Sequence, residues 1–168
     1  PGAGRCPRAE ADSYARRAQE LLSTAGVPVE LSVRACGGAL VGDVVGNQVP
    51  LVDDADVVTI TVGGNDAGVF ELTSACLGAA GCPDLTADDA QLTLVDNPGD
   101  GRTDWQVFHD QLRDTYLAIL DRMAPGGRLL VLTYPLPFPE TPGACPTGFG
   151  FVSGAQAGLV NAIITRLD

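Results

Sequence analysis

Two short turns carry the residue types that could do chemistry: Cys36-Gly37-Gly38 and Gly63-Gly64-Asn65-Asp66. Glycine permits positive φ and lets backbone N–H groups approach a ligand closely. An Asn side chain adds an amide donor. Together such groups could hold a developing oxyanion, a role worth ~3–4 kcal/mol per donor. Read singly, each is a plain turn, since Gly, Asn and Asp dominate turns for local reasons. Both follow apolar, strand-like runs, and ligands of open α/β sheets bind beyond the carboxyl ends of strands.

The elements around them read as follows. Residues 10–25 form a helix with Tyr14, Ala18, Leu21 and Leu22 on one face, stopped by Gly26 and Pro28. Val29 to Ala35 alternates like a strand. Residues 41–52 read as a short helix. Val57 to Val62 and Arg128 to Thr133 are apolar runs suited to buried parallel strands. Residues 104–123 form a long helix, with Trp105, Phe108, Leu112, Tyr116, Ile119, Leu120 and Met123 at spacings of three and four. Ser153 and Gln156 read as a capping box opening a last helix, Gly154 to Leu167. Segments 76–104 and 134–150 read as loops. Helices alternating with apolar strands predict a three-layer α/β/α sandwich with a parallel sheet, in one domain over 1–168.

Composition narrows the partners. The chain has 168 residues, 45 % hydrophobic, with a formal charge of −11. All ten basic residues are Arg. That charge argues against nucleic acid or an anionic membrane surface. No apolar run approaches the roughly 18–20 residues that span a bilayer, so no stable membrane insertion is expected. No metal or organic cofactor is expected either. The five cysteines, Cys6, Cys36, Cys76, Cys82 and Cys145, form no C-x-x-C pair, and His109 is the one histidine. Disulfides in an oxidising compartment are the better reading, and an odd count points to a partner outside the chain.

Other candidates are weaker. Asp96, Asp100, Gly101 and Asp104 fail the EF-hand spacing, because Pro98 takes a ligand position. Asp53, Asp54 and Asp56 look like a surface turn. There is no P-loop lysine and no G-x-G-x-x-G opening a helix. Ser13, Ser23, Ser32, Ser74 and Ser153 lie in no G-x-S-x-G or G-D-S turn. Ser13 and His109 read as ordinary helix residues.

The string Val57 to Gly68, VVTITVGGNDAG, resembles the G-x-N-D block of the SGNH (GDSL-like) hydrolases, above all their secreted, disulfide-bonded bacterial esterases and lipases. Arg34 to Ala39, RACGGA, resembles the block before it. The resemblance implies a flavodoxin-like SGNH fold and a carboxylic-ester hydrolase using a serine nucleophile. It places the backbone oxyanion donor on Gly38 and the side-chain donor on Asn65. Gly63, Gly64 and Asp66 become structural residues of the turn. It implies disulfides Cys6–Cys36 and Cys76–Cys82, leaving Cys145 to pair with a cysteine further on. It also implies a secreted monomer and a small ester substrate, a lipid or an acylated sugar.

The departures are the missing G-D-S serine before the first helix and the missing D-x-x-H after the last. The expectation is an incomplete domain, inactive alone, lacking its nucleophile strand and its histidine segment. The alternative is a non-catalytic ligand-binding module of the same fold without the triad. A third reading makes the glycines purely structural, with Gly38 and Asn65 far apart.

Overall fold

The computed structural model describes residues 13–69, 74, 98–136, 138, 145–147 and 150–167. The chain divides into two compact units, Pro1–Ala39 and Leu40–Asp168.

The first unit holds helix α1, Tyr14–Thr24. Ser13 is its N-cap rather than an interior helix residue, its hydroxyl accepting from the Arg16 N–H at 3.3 Å. Gly26, at φ +80°, ends the helix as its glycine suggests. The expected apolar face is not buried: Tyr14, Leu21 and Leu22 are exposed, and no residue of α1 is buried. The segment expected as a strand at 29–35 forms none. Val29, Leu31 and Val33 are half-buried and alternate with exposed Glu30, Ser32 and Arg34. The side-chain rhythm of a strand is therefore present. What is missing is a neighbouring backbone ladder, and alternation alone does not supply one. The Gln19 side chain donates to the Val29 carbonyl at 2.9 Å, tying this segment to α1.

The second unit opens with a mixed helical stretch where a single short helix was expected. It runs through α2, Val41–Asp43, a π-helical turn, Val44–Gln48, and a 3₁₀ turn, Val49–Leu51. Gly42, Gly46 and Pro50 weaken a regular α-helix there. Strand β1, Val57–Ile60, pairs in parallel with β2, Arg128–Val131, in the register Val57 to Arg128 and Ile60 to Val131. Both are shorter than their apolar runs. Several of their side chains stay open, with Val57 56 % exposed and Val131 48 %. The expectation of strands buried on both faces is corrected accordingly. Two strands bury each other's edge once, and among the described residues cover is incomplete.

Helix α3, Asp104–Leu120, lies where periodicity placed it. Thr103 and Gln106 cap it reciprocally at 3.2 and 2.9 Å. Trp105, Phe108, Leu112 and Ile119 are buried as expected, and so are Val107 and Thr115. Leu120 is 45 % exposed, against expectation, because it is turned about 100° from buried Ile119, while packing continues along that face to Met123. The segment expected as loop after Tyr134 contains an antiparallel hairpin, β3, Cys145–Thr147, with β4, Gly150–Val152. Helix α4, Gly154–Leu167, follows, with Ser153 and Gln156 exchanging the two hydrogen bonds of the expected capping box.

The core of this unit joins Val41, Ala67, Trp105, Phe108, Leu112 and Ile163. Ala67 belongs to the turn after β1, so that turn is part of the core rather than an appendage. A second cluster, Val160 and Ile164 of α4, packs with Val69, Tyr134 and Phe138. The second unit is thus α/β with a parallel strand pair, as the alternation of elements predicts.

Candidate functional site

The turn begins at Gly63, three residues after Ile60, the last residue of β1. Its carbonyls are used up locally: Gly63 C=O accepts from Ala67 N–H at 2.9 Å, Gly64 C=O from Val69 N–H at 2.9 Å, and Asn65 C=O from Gly68 N–H at 3.1 Å. Three contacts from distant parts of the chain then clamp it.

The first is steric. Gly63 sits at φ +107°, and a Cβ there would lie 2.7 Å from Phe108 Cζ and 3.6 Å from Leu112 Cδ2. Only glycine suits both the dihedral and the space. The second clamp is Tyr134, whose hydroxyl oxygen accepts the Gly64 N–H at 3.0 Å. A Cβ on Gly64 would come within 2.9 Å of that phenol. The third is Asp66, 4 % exposed, with both carboxylate oxygens 3.1 Å from the Val41 nitrogen. Burial pushes the Asp66 carboxyl above its ordinary value, against the lowering effect of the Val41 hydrogen bond. Val41 N–H is one of the unsatisfied donors at the start of α2, so the bond also serves as a helix cap.

Asn65 is half-buried in this turn. Gly63, Gly64 and Asp66 are thus each in contact with a distant part of the chain, in one turn that also carries Asn65 after β1. Gly38 belongs to the other unit. It lies in a turn closed by Ala39 N–H on Cys36 C=O at 3.2 Å, with φ +78° and no atom within 4 Å of a Cβ built on it. Its glycine is required by the dihedral alone.

Two of the clamps were not foreseen. Tyr134 fell in a segment read as loop, 70 residues from Gly64, and Val41 lies 25 residues from Asp66. Nothing local in either stretch signals the contact. Tyr134 is three residues beyond β2, and adjacency of β2 to β1 is what brings it over the turn.

The discounted candidates have other employment. His109 is exposed on α3, its ring 5.9 Å from Trp105. Asp100 pairs with Arg102 at 2.7 Å, and this partner holds its carboxyl below the ordinary range. Asp54 is an exposed turn residue at φ +52°. Among the described residues no three His, Cys, Asp or Glu side chains come together as metal ligands. No helix among them is long and apolar enough to cross a membrane. Cys6, Cys76 and Cys82 lie outside the described residues, and Cys145 opens β3.

No protein-family model matches the chain. A lipase of Streptomyces rimosus is 33 % identical over 137 residues, covering 79 % of this chain and 47 % of that protein. Lipase 1 of Streptomyces coelicolor is 31 % identical over 116 residues, covering 68 % and 40 %. The crystal structure of the extracellular lipase from Streptomyces rimosus superposes with a TM-score of 0.57 at 26 % identity, over 88 % of this chain and 57 % of that one. The chain belongs to the SGNH lipase family. The family's α/β fold is the fold of this chain, present in incomplete form. The chain spans about half the length of the curated lipases it matches. The clamped turn thus belongs to an SGNH family member, in the block where the sequence resemblance was strongest.

Proposed function

We propose that this chain supplies the oxyanion-stabilising part of a carboxylic-ester hydrolase. The observation that carries the reading is the Gly63–Asp66 turn, clamped by Phe108, Tyr134 and Val41 beyond the carboxyl end of a parallel strand and carrying Asn65. Preorganisation of that kind is what electrostatic catalysis requires, because donors already aimed need no reorganisation as charge develops. The Asn65 amide and the Gly38 N–H are the two donors.

A serine hydroxyl attacks the ester carbonyl carbon, and its proton passes to a histidine base. The carbonyl oxygen becomes the anion that Asn65 and Gly38 hold. Collapse expels the alcohol, which takes the proton back, and water then releases the acyl group. These 168 residues hold no serine in a G-D-S turn and no D-x-x-H, so the serine and histidine belong to sequence beyond them, and the chain alone is inactive. The substrate is a small ester, a lipid or an acylated sugar, and the protein works outside the cell as a monomer. The Cys6–Cys36 bridge that the family resemblance implies belongs to the same reading, and it would require an oxidising compartment.

The test is release of p-nitrophenol from short-chain acyl esters. The full-length protein should turn over, the 168-residue chain should not, and Asn65→Ala should lower kcat of the former by about 10²- to 10³-fold. Robust turnover by the chain alone, or a full-length Asn65→Ala variant with parental kcat, refutes the reading.

A further inference from the structure

We infer that Tyr134 is a positioning residue for Asn65, an inference that rests on the oxyanion reading above. The Gly64 N–H is buried, and a buried backbone donor needs an acceptor. The turn's own carbonyls at 63, 64 and 65 are committed to the amides of Ala67, Val69 and Gly68. The peptide joining Gly63 to Gly64 is therefore held at both ends, its C=O accepting from Ala67 inside the turn and its N–H donating to the Tyr134 hydroxyl oxygen. Asn65 follows Gly64 directly, so this bond holds the backbone one residue from the amide donor.

The phenol is a firm strut. Tyr134 follows β2, which is in register with β1, and Leu132 N–H extends the ladder to Ile60 C=O at 2.8 Å. Its ring packs with Val160 and Ile164 of α4. Burial raises the phenol of Tyr116 on α3 above its ordinary value, with Tyr134 adding to the shift. Gly64 rests so closely on the ring that any Cβ would meet it at 2.9 Å. Beside the Phe108 and Val41 contacts, the Tyr134 oxygen thus ties the Gly64 amide to the neighbouring strand. Loss of that oxygen leaves the ring in place and lets the Gly64 amide rotate toward another acceptor.

A displacement of about 1 Å at a reacting group costs up to about 10²-fold in rate. Tyr134→Phe in the full-length protein should lower kcat about tenfold on a short-chain p-nitrophenyl ester, with KM within about twofold of the parent. In an Asn65→Ala background the same substitution should change kcat by less than about twofold, since the donor it positions is gone. Gly64→Ala, which pushes on the phenol from the other side, should show the same kcat-only loss and serves if Tyr134→Phe does not fold. Faster hydrogen exchange of the Gly64 amide in Tyr134→Phe would locate the change at the turn. A parental kcat in Tyr134→Phe while Asn65→Ala is impaired overturns the positioning role and leaves the oxyanion reading intact. An equal loss in the Asn65→Ala background overturns it too. If Asn65→Ala itself has parental kcat, the oxyanion reading fails, and this inference with it.

Discussion

Replacing Gly63 by Ala attacks the turn at its tightest point. Two costs add. A non-glycine residue at φ +107° carries backbone strain of about 1–3 kcal/mol. The new methyl would sit 2.7 Å from Phe108 Cζ, and Phe108 has no exposed surface into which it can retreat. Overpacking of a filled core costs about 1–3 kcal/mol. The sum is about 2–6 kcal/mol, a large share of the roughly 5–15 kcal/mol that holds a natural domain together. With about 2–4 °C per kcal/mol for a domain of 150–250 residues, a mid-range loss of about 4 kcal/mol lowers Tm by about 8–16 °C. Thermal melts of the full-length protein followed by circular dichroism measure this directly. Phe108→Leu removes the ring atom nearest the methyl. In the Gly63→Ala background it should therefore cost at least about 1 kcal/mol less than it does alone. A Gly63→Ala melt within about 2 °C of the parent would refute the reasoning. So would strictly additive costs for the two substitutions, since the clash would then not be with Phe108.

Two further perturbations test the other supports. Burial raises the Asp66 carboxyl above 3.8, so the folded state binds that proton more tightly than the unfolded chain does. Its contribution to stability is complete below 3.8 and is lost as pH rises through the raised value. The Tm gap between parent and Asp66→Asn should accordingly be most favourable to the parent at the acid end and shrink toward neutral pH. A gap that widens with rising pH contradicts the burial argument. Thr103→Ala removes one half of the α3 capping box and should cost about 1 kcal/mol, with an unchanged melt showing that the first turn is held by other contacts.

Much of this protein is written in short-range pattern. The three-and-four spacing from Trp105 to Ile119 is a helix because 3.6 residues per turn brings those side chains to one face. The Ser153 and Gln156 pair announces α4 because a cap is a bond between residues three apart. The Gly-Gly-Asn-Asp string is a turn for similarly local reasons, and its order of residue types is distinctive enough to name a family.

Other features depend on atoms brought together over long distances in sequence. Val29 to Arg34 has the alternation of a strand, yet it is not one, because a strand exists only by virtue of a neighbour's hydrogen bonds. The Cys145–Val152 hairpin was hidden in a Pro- and Gly-rich stretch whose composition reads as loop. Leu120 fits the three-and-four spacing but is exposed, while Ile119 and Met123 on either side of it are buried. Above all, sequence could assign Gly63 and Asp66 to the structure of a turn without saying what they touch. Phe108 against Gly63, Tyr134 on Gly64 and Val41 on Asp66 arise from the pairing of β1 with β2 and the packing of α2 and α3. Composition and spacing establish which residues could stabilise an anion, since donor capacity is a property of the residue type. Whether those donors are held still is a property of their neighbours, and only the folded chain brings the neighbours together.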